Sequence, residues 1–225
     1  MCQLIIALDV DNSPQALTLM DQTLGRCSLY KIGWRFFFSQ GVRGIYQLMA
    51  RFPTARFLFD TKFWDTPHTI IDTVTMLETI SAISMYTVAL DSVQAASHVQ
   101  RTTSFDRRKR ILAVHRLTSD VHSINMRDVL VGKTRGAQGI ICPAAQSSEI
   151  RRKLIERPSV IKHDYIICPG LRVMADPHAD HVEPVLLKDV RNYPEVDFWV
   201  VGRPIINHSD PGKMAETFAR ELSRK

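Results

Sequence analysis

The chain is sparing with the residues that build cross-linked or metal-centred proteins. It has four cysteines, Cys2, Cys27, Cys142 and Cys168, with no C-x-x-C pair among them. That spacing argues against a disulfide framework and suits a reducing cytoplasm. Its eight histidines contain no H-E-x-x-H or comparable ligand spacing, so no metal site is expected. No apolar run approaches the ~18 residues that a membrane span needs. The N-terminal "LIIAL" is too short for a secretory h-region and meets an acid at once. No G-x-G-x-x-G follows that first apolar run, which removes the dinucleotide fingerprint of an open doubly wound sheet. No low-complexity linker divides the chain.

What is present is an ordinary soluble composition: 225 residues, 45% hydrophobic and 23% charged. Lys and Arg exceed Asp and Glu by 29 to 23, a formal charge of +6, and such a field favours anionic ligands. The basic run "RRKR" at 107–110 lacks the aromatic and glycine pattern of a nucleic-acid site. It reads as a solvated helix-to-strand turn, and neither nucleic acid nor membrane is expected as a partner.

Eight short apolar runs recur: "LIIAL" (4–8), "LYKIG" (29–33), "RFLFD" (56–60), "MYTVAL" (85–90), "ILAV" (111–114), "GIIC" (139–142), "YIIC" (165–168) and "FWVV" (198–201). Unalternating runs of this kind fit parallel strands buried on both faces. Between them, 13–24, 41–52, 67–80, 144–155 and 210–225 have helical spacing. The first opens on a Ser cap and a Pro, and the last ends in basic residues that suit the helix dipole. Eight strand-helix units predict a (β/α)8 TIM barrel forming a single domain over 1–225. The weakest unit is 92–109, which is short and polar for a barrel helix. The Asp/His/Pro-rich segment 171–197 reads as a loop over a site.

In such a barrel the active groups stand at the carboxyl ends of the strands. Those ends carry Asp9, Lys31, Asp60 with Lys62, Asp91, Thr118 with Ser119, Pro169 with Gly170, and Gly202 with Arg203. The stretch "FDTKFWD" (59–65) is therefore read as part of a site rather than as a solvated charge cluster. A lysine held between carboxylates stays protonated and can deliver a proton to a forming carbanion. A carboxylate near a substrate carboxylate repels it, and the stress vanishes when CO2 leaves. Backbone N–H groups and a guanidinium after the last strand suit phosphate.

Several segments in order, "IIALDVDN", "YKIGWRFFFSQG", "FDTKFWDTPHT", "AVHRLTS", "GIICP", "CPGLR" and "VVGRPI", resemble the orotidine 5'-phosphate decarboxylase family. The resemblance implies a cofactor-independent, cytoplasmic homodimer that converts orotidine 5'-monophosphate to UMP. It implies that Asp9 binds a ribose hydroxyl, that Lys31 contacts the ribose and pairs with Asp60, and that Asp60 crowds the leaving carboxylate. Lys62 would protonate C6, while Asp65 and Thr69 would reach the neighbouring subunit's site. Thr118 would contact the pyrimidine, and Pro169, Gly170, Gly202 and Arg203 would hold the phosphate, with His181 where the family has its lid glutamine. The chain departs from the family pattern at "ALDS" (89–92), Thr66, His115, Arg116 and Glu183. Two alternatives follow. One is a Mg-dependent sugar-phosphate decarboxylase or aldolase of the same broader group, which carries an acid where this chain has Lys31. The other is a nucleotide-binding homologue with an impaired site.

Overall fold

The computed structural model describes residues 3–103, 109–117, 124–156, 164–174 and 184–224. Among them, eight strands close a parallel barrel. These are β1 (Gln3–Ala7), β2 (Leu29–Gly33), β3 (Arg56–Phe63), β4 (Ile83–Ala89), β5 (Arg110–Val114), β6 (Gly139–Ile141), β7 (Tyr165–Pro169) and, after two short strands, β10 (Phe198–Val201). Strands β1 to β7 neighbour one another in sequence order, and β10 closes the ring between β7 and β1. The short pair β8 (Leu171–Arg172) and β9 (Val185–Leu186) lies outside the ring.

Strand alternation divides the apolar residues into two cores. Ile5, Leu58, Leu112, Ile141, Ile167 and Val200 fill the barrel interior. Their neighbours Ile6, Phe57, Phe59, Ile111, Ile166 and Trp199 face outward and are buried by the helices. Both faces are dry, which is why the strands read as continuous apolar runs. Gly139 is one point where the wall is tightest: an added Cβ would stand 2.7 Å from both Leu112 Cδ2 and the Tyr165 carbonyl oxygen.

The helices are α1 (Ser13–Thr23), α2 (Trp34–Arg51), α3 (Pro67–Glu78), α4 (Val93–Thr102), α5 (Met126–Thr134), α6 (Ser147–Glu156), α7 (Arg203–Ile206) and α8 (Pro211–Ser223). Asn12 caps α1, its side chain accepting from the Gln15 N–H at 2.9 Å. The expected Ser cap is thereby corrected: Ser13 lies inside the helix and its hydroxyl donates to Gln40 at 2.8 Å. Helix α2 begins seven residues before the expected 41–52 and is broken at Gly41, whose φ of 60° only glycine adopts without strain.

Three other expectations are revised. The weak unit does form a helix, α4, because its small residues Ala95, Ala96 and Ser97 allow close burial. The basic run is not a solvated turn at its described end. Lys109 is buried and donates to the carbonyls of Ile80 and Ile83, at 2.9 Å each, and the Arg110 guanidinium lies 4.6 Å over the Tyr165 ring. Within 171–197 the described residues are ordered as β8, β9 and a 3-10 turn over Leu187–Asn192.

Candidate active site

The carboxyl ends of the strands enclose a cavity of about 280 Å³. Its floor is apolar: Ala7, Leu58, Val114, Ile141 and Val200 are the top of the inner core. On the β1–β3 side four charges alternate in sign. Asp9 Oδ1 accepts from Lys31 Nζ at 3.0 Å, Lys31 Nζ stands 3.8 Å from Asp60 Oδ2, and Asp60 Oδ1 accepts from Lys62 Nζ at 2.8 Å. Lys31 and Asp60 are largely buried, with side chains 13% and 15% exposed, so their pairing is shielded from the screening that weakens surface ion pairs. Burial pushes the Asp60 carboxyl up. Lys31, Lys62 and hydrogen bonds from Lys62 and Thr87 outweigh that and hold it below the ordinary carboxylate range.

The backbone makes this array by departing from regular strand geometry. Strand β3 pairs Phe59 with Tyr86 and then Phe63 with Val88, so it carries two more residues than β4 over the same span. Such a bulge re-aims side chains. Lys62 sits inside it at φ 51°, the one positive φ outside glycine among the described residues. A left-handed lysine costs on the order of 1–3 kcal/mol and persists only where its surroundings over-determine it. Here the Lys62 N–H donates to Thr87 Oγ1 at 2.8 Å, and the Thr87 hydroxyl donates onward to Asp60 Oδ1 at 3.0 Å. Gly33 is equally constrained: a Cβ there would stand 2.9 Å from Lys31 Nζ and 3.2 Å from Asp9 Oδ1.

The β7–β10 side of the cavity is cationic. Pro169, Gly170, Arg172, Gly202 and Arg203 line it. Gly170 has φ 94°, a turn open to glycine alone. An ideal Cβ on Gly202 would lie 3.8 Å from Asp9 Oδ2, so the two sides meet where β1 and β10 are neighbours.

Comparison with known proteins places the chain in a family. The family model described as orotidine 5'-phosphate decarboxylase / HUMPS family matches residues 2–218. The chain belongs to that family. It is 27% identical over 231 residues to the orotidine 5'-phosphate decarboxylase of Sulfurovum sp. (strain NBC37-1), covering 95% of this chain and 96% of that one. It is 30% identical over 236 residues to the enzyme so named from Xylella fastidiosa (strain M12), covering 98% and 91%. The fold is shared with two solved structures. The orotidine 5'-phosphate decarboxylase from Lactobacillus acidophilus superposes with a TM-score of 0.77 at 21% identity, over 99% of both chains. The orotidine 5'-monophosphate decarboxylase from Methanocaldococcus jannaschii, complexed with the inhibitor BMP, has a TM-score of 0.73 at 20% identity, also over 99% of both.

Of the residues singled out by resemblance to the family, Asp9, Lys31, Asp60, Lys62, Pro169, Gly170, Gly202 and Arg203 line one cavity. Asp65 and Thr69 do not line it. Both are exposed near the start of α3, where Asp65 Oδ1 accepts from the Thr66 N–H and Thr69 Oγ1 lies 3.0 Å from Thr66 Oγ1. Thr118, Ser119, His181 and Glu183 lie outside the described residues. Asp91 is corrected. The 3-10 turn Leu90–Ser92 carries it outward, 81% exposed and 3.6 Å from Arg135, and it does not join the mouth. Reading of the sequence missed Thr87 and Arg172. Thr87 interrupts an apolar strand, a signal that a strand-end rule passes over. Arg172 stands two residues beyond Gly170, and strand alternation could have found it. Cys142 and Cys168 pack in the core with their sulfurs 3.9 Å apart.

Proposed function

We propose that this chain, as one barrel unit over 1–225, decarboxylates orotidine 5'-monophosphate to UMP. The observation that carries the reading is the alternating array Asp9–Lys31–Asp60–Lys62 at the edge of a cavity whose adjoining β7–β10 side holds Arg172 and Arg203. The two arginines, with the backbone at Gly170 and Gly202, bind the 5'-phosphate. Asp9 and Lys31 hold the ribose hydroxyls. Binding energy from these remote groups holds the ring over the apolar floor with its carboxylate against Asp60. The C6–carboxylate bond breaks, its electron pair stays on C6, and CO2 departs. A proton then passes from Lys62 Nζ to C6, and the resulting amine regains a proton from solvent.

The sugar-phosphate alternative is less favoured. The Lys31 ammonium occupies the space between Asp9 and Asp60 where that group would carry an acid. No helix among the described residues is long and apolar enough to cross a membrane. The buried free thiols of Cys27, Cys142 and Cys168 suit a cytoplasmic setting. The position of Asp65 and Thr69 outside their own cavity suits a homodimer in which they complete the neighbour's site.

The test follows the absorbance of orotidine 5'-monophosphate, with and without EDTA, on the wild type and on Lys62→Ala. The expected result is an EDTA-resistant loss of absorbance that falls about 10²- to 10⁴-fold in the variant. A fully active Lys62→Ala would refute the proton-donor role, and an EDTA-sensitive activity would favour the metal-dependent alternative.

A further inference from the structure

We infer that the outer face of the bulge in β3 is the floor of a second binding site. It takes a small neutral aromatic molecule with one hydrogen-bonding group, and it lowers turnover when filled. The site stands without the nucleotide reading; only its effect on turnover rests on that reading.

Its place follows from how the helix layer is built over β3. Helix α2 packs on α1, and α3 packs on α4. Between α2 and α3 a groove of about 480 Å³ runs over the outer side of β3, a volume ordinary for small-molecule sites. Phe59, Thr61 and Phe63 of β3 form its floor. Phe37, Ile45 and Tyr46 line it from α2, and Met76 and Leu77 from α3. The groove is separate from the cavity at the barrel mouth, whose lining from β3 is Leu58, Asp60 and Lys62.

The chemistry of the groove selects the ligand. Among the described residues no charged side chain lines it, so an ion entering would lose hydration without gaining a partner. It offers aromatic faces and edges instead. Phe37 stands edge-on to Phe59 with centroids 5.2 Å apart, and Phe59 and Phe63 are 5.8 Å apart. The exposed Met76 adds a sulfur, which suits the edge of a further ring. Thr61 is the polar anchor of the floor. It is 2% exposed, and its hydroxyl has no hydrogen-bond partner among the described residues. Buried hydroxyls are ordinarily paired, and a hydroxyl on a bound ring would pair this one.

Thr61 also joins the groove to the chemistry. It lies in the chain between Asp60 and Lys62, and Lys62 holds its φ of 51° inside the same bulge. A ligand that draws on the Thr61 side chain from behind works against the geometry that puts Lys62 Nζ 2.8 Å from Asp60. Its influence extends as far as it binds the displaced bulge more tightly than the poised one. The phosphate contacts lie on other strands, after β7 and β10, so the effect falls on kcat rather than KM.

The experiment titrates phenol and toluene, near-isosteres with and without a hydroxyl, into the wild type, Thr61→Val and Met76→Glu by calorimetry. It also measures kcat and KM for orotidine 5'-monophosphate with and without saturating phenol. Phenol should bind the wild type with a Kd of about 1 mM or tighter. Thr61→Val should weaken phenol about three- to tenfold, as for one neutral hydrogen bond, and leave toluene within about twofold. Met76→Glu, at an exposed position, should weaken both by about threefold or more. Saturating phenol should lower wild-type kcat about fivefold or more with KM within about twofold, and Thr61→Val at equal occupancy should lose that effect. Absence of phenol binding, binding of equal strength in Thr61→Val, or saturation without effect on kcat would each overturn the inference. Binding that appears only when dilution dissociates the protein would give the groove to a second copy and overturn it too. A chain that prefers phenol to toluene through Thr61 yet never consumes orotidine 5'-monophosphate would support the site and remove the nucleotide reading.

Discussion

Thr87 holds Lys62 in place from the adjacent strand. It accepts the Lys62 backbone N–H at 2.8 Å and donates to the Asp60 carboxylate at 3.0 Å, so one hydroxyl ties the strained residue to its acidic partner. Thr87→Val removes both bonds while nearly preserving shape. It should destabilise the fold by about 1 kcal/mol, because a part-buried N–H loses its partner. Turnover should fall by about 10²-fold, as expected when a catalytic group shifts by roughly 1 Å. Thr87→Ser should restore most of both. Denaturant unfolding and kcat on the three proteins check this, and wild-type turnover in Thr87→Val would remove Thr87 from the positioning role.

Gly33 gives a steric test of the Lys31 ion pairs. Its backbone, at φ −102°, is open to any residue, so Gly33→Ala is a question of space alone. The new methyl would stand 2.9 Å from Lys31 Nζ and must displace the ammonium from Asp9. The flexible lysine can move, so the melting temperature should stay within about 2–4 °C, the shift that roughly 1 kcal/mol produces in a domain of this size. KM for the nucleotide should rise about tenfold, the cost of about one charged hydrogen bond. A variant with unchanged KM would show that Lys31 does not hold the ribose.

The barrel was legible because parallel strands buried on both faces leave unalternating apolar runs. "LYKIG" and "FWVV" coincide with β2 and β10 to the residue. Asp9, Lys31, Asp60 and Lys62 were legible for a related reason: charges at the ends of such runs have few places to go except the mouth. Where the reading failed, the deciding feature was a distant contact or a local turn that strand patterning does not carry. Thr87 matters only because β3 slips two residues against β4. Asp91 obeys the strand-end rule by position, yet a local 3-10 turn carries it out to Arg135. Lys109 resembled a surface charge, but the carbonyls of Ile80 and Ile83, at the entry to β4 and 29 and 26 residues earlier, satisfy it.

His115 sets an acid limit on stability. Its ring packs against Gly132, with Nδ1 buried and no hydrogen-bond partner among the described residues. Burial pushes its pKa down to about 4, against a smaller opposing pull from Asp128. Lys133 and Asp164, themselves paired at 2.6 Å, share the small cavity beside it. The unfolded chain takes up a proton near pH 6.5 that the folded protein refuses until about pH 4. Stability therefore falls with pH across that window, by up to about 3 kcal/mol. The contribution of Asp60 has the same sign but a lower window: it is lost only below the ordinary Asp value of 3.8. His115→Leu should flatten the loss between pH 6.5 and 4 and leave the lower step. Urea midpoints at pH 7, 5 and 4 decide it, and an unchanged slope in the variant would assign the acid sensitivity elsewhere.

Asp65 and Lys62 belong to different sites if the homodimer reading is right. Lys62 points into its own cavity, whereas Asp65 sits outside it on an exposed turn. Large aromatic side chains are left open on α2, Trp34 at 44% and Phe38 at 79% with their rings stacked at 5.1 Å, and next to Asp65, Trp64 at 77% exposure. Aromatic residues left this open suit burial against a second copy. Lys62→Ala and Asp65→Ala should each be nearly inactive alone. Unfolded together and refolded, half of the dimers should be mixed, each with both lesions in one site and none in the other. About a quarter of wild-type activity should then return, as random two-fold pairing requires. Trp64→Ser should shift the monomer-dimer equilibrium toward monomer in sedimentation and lower activity on dilution. No recovery on mixing, with both variants folded and dimeric, would mean that each chain uses its own Asp65 or none.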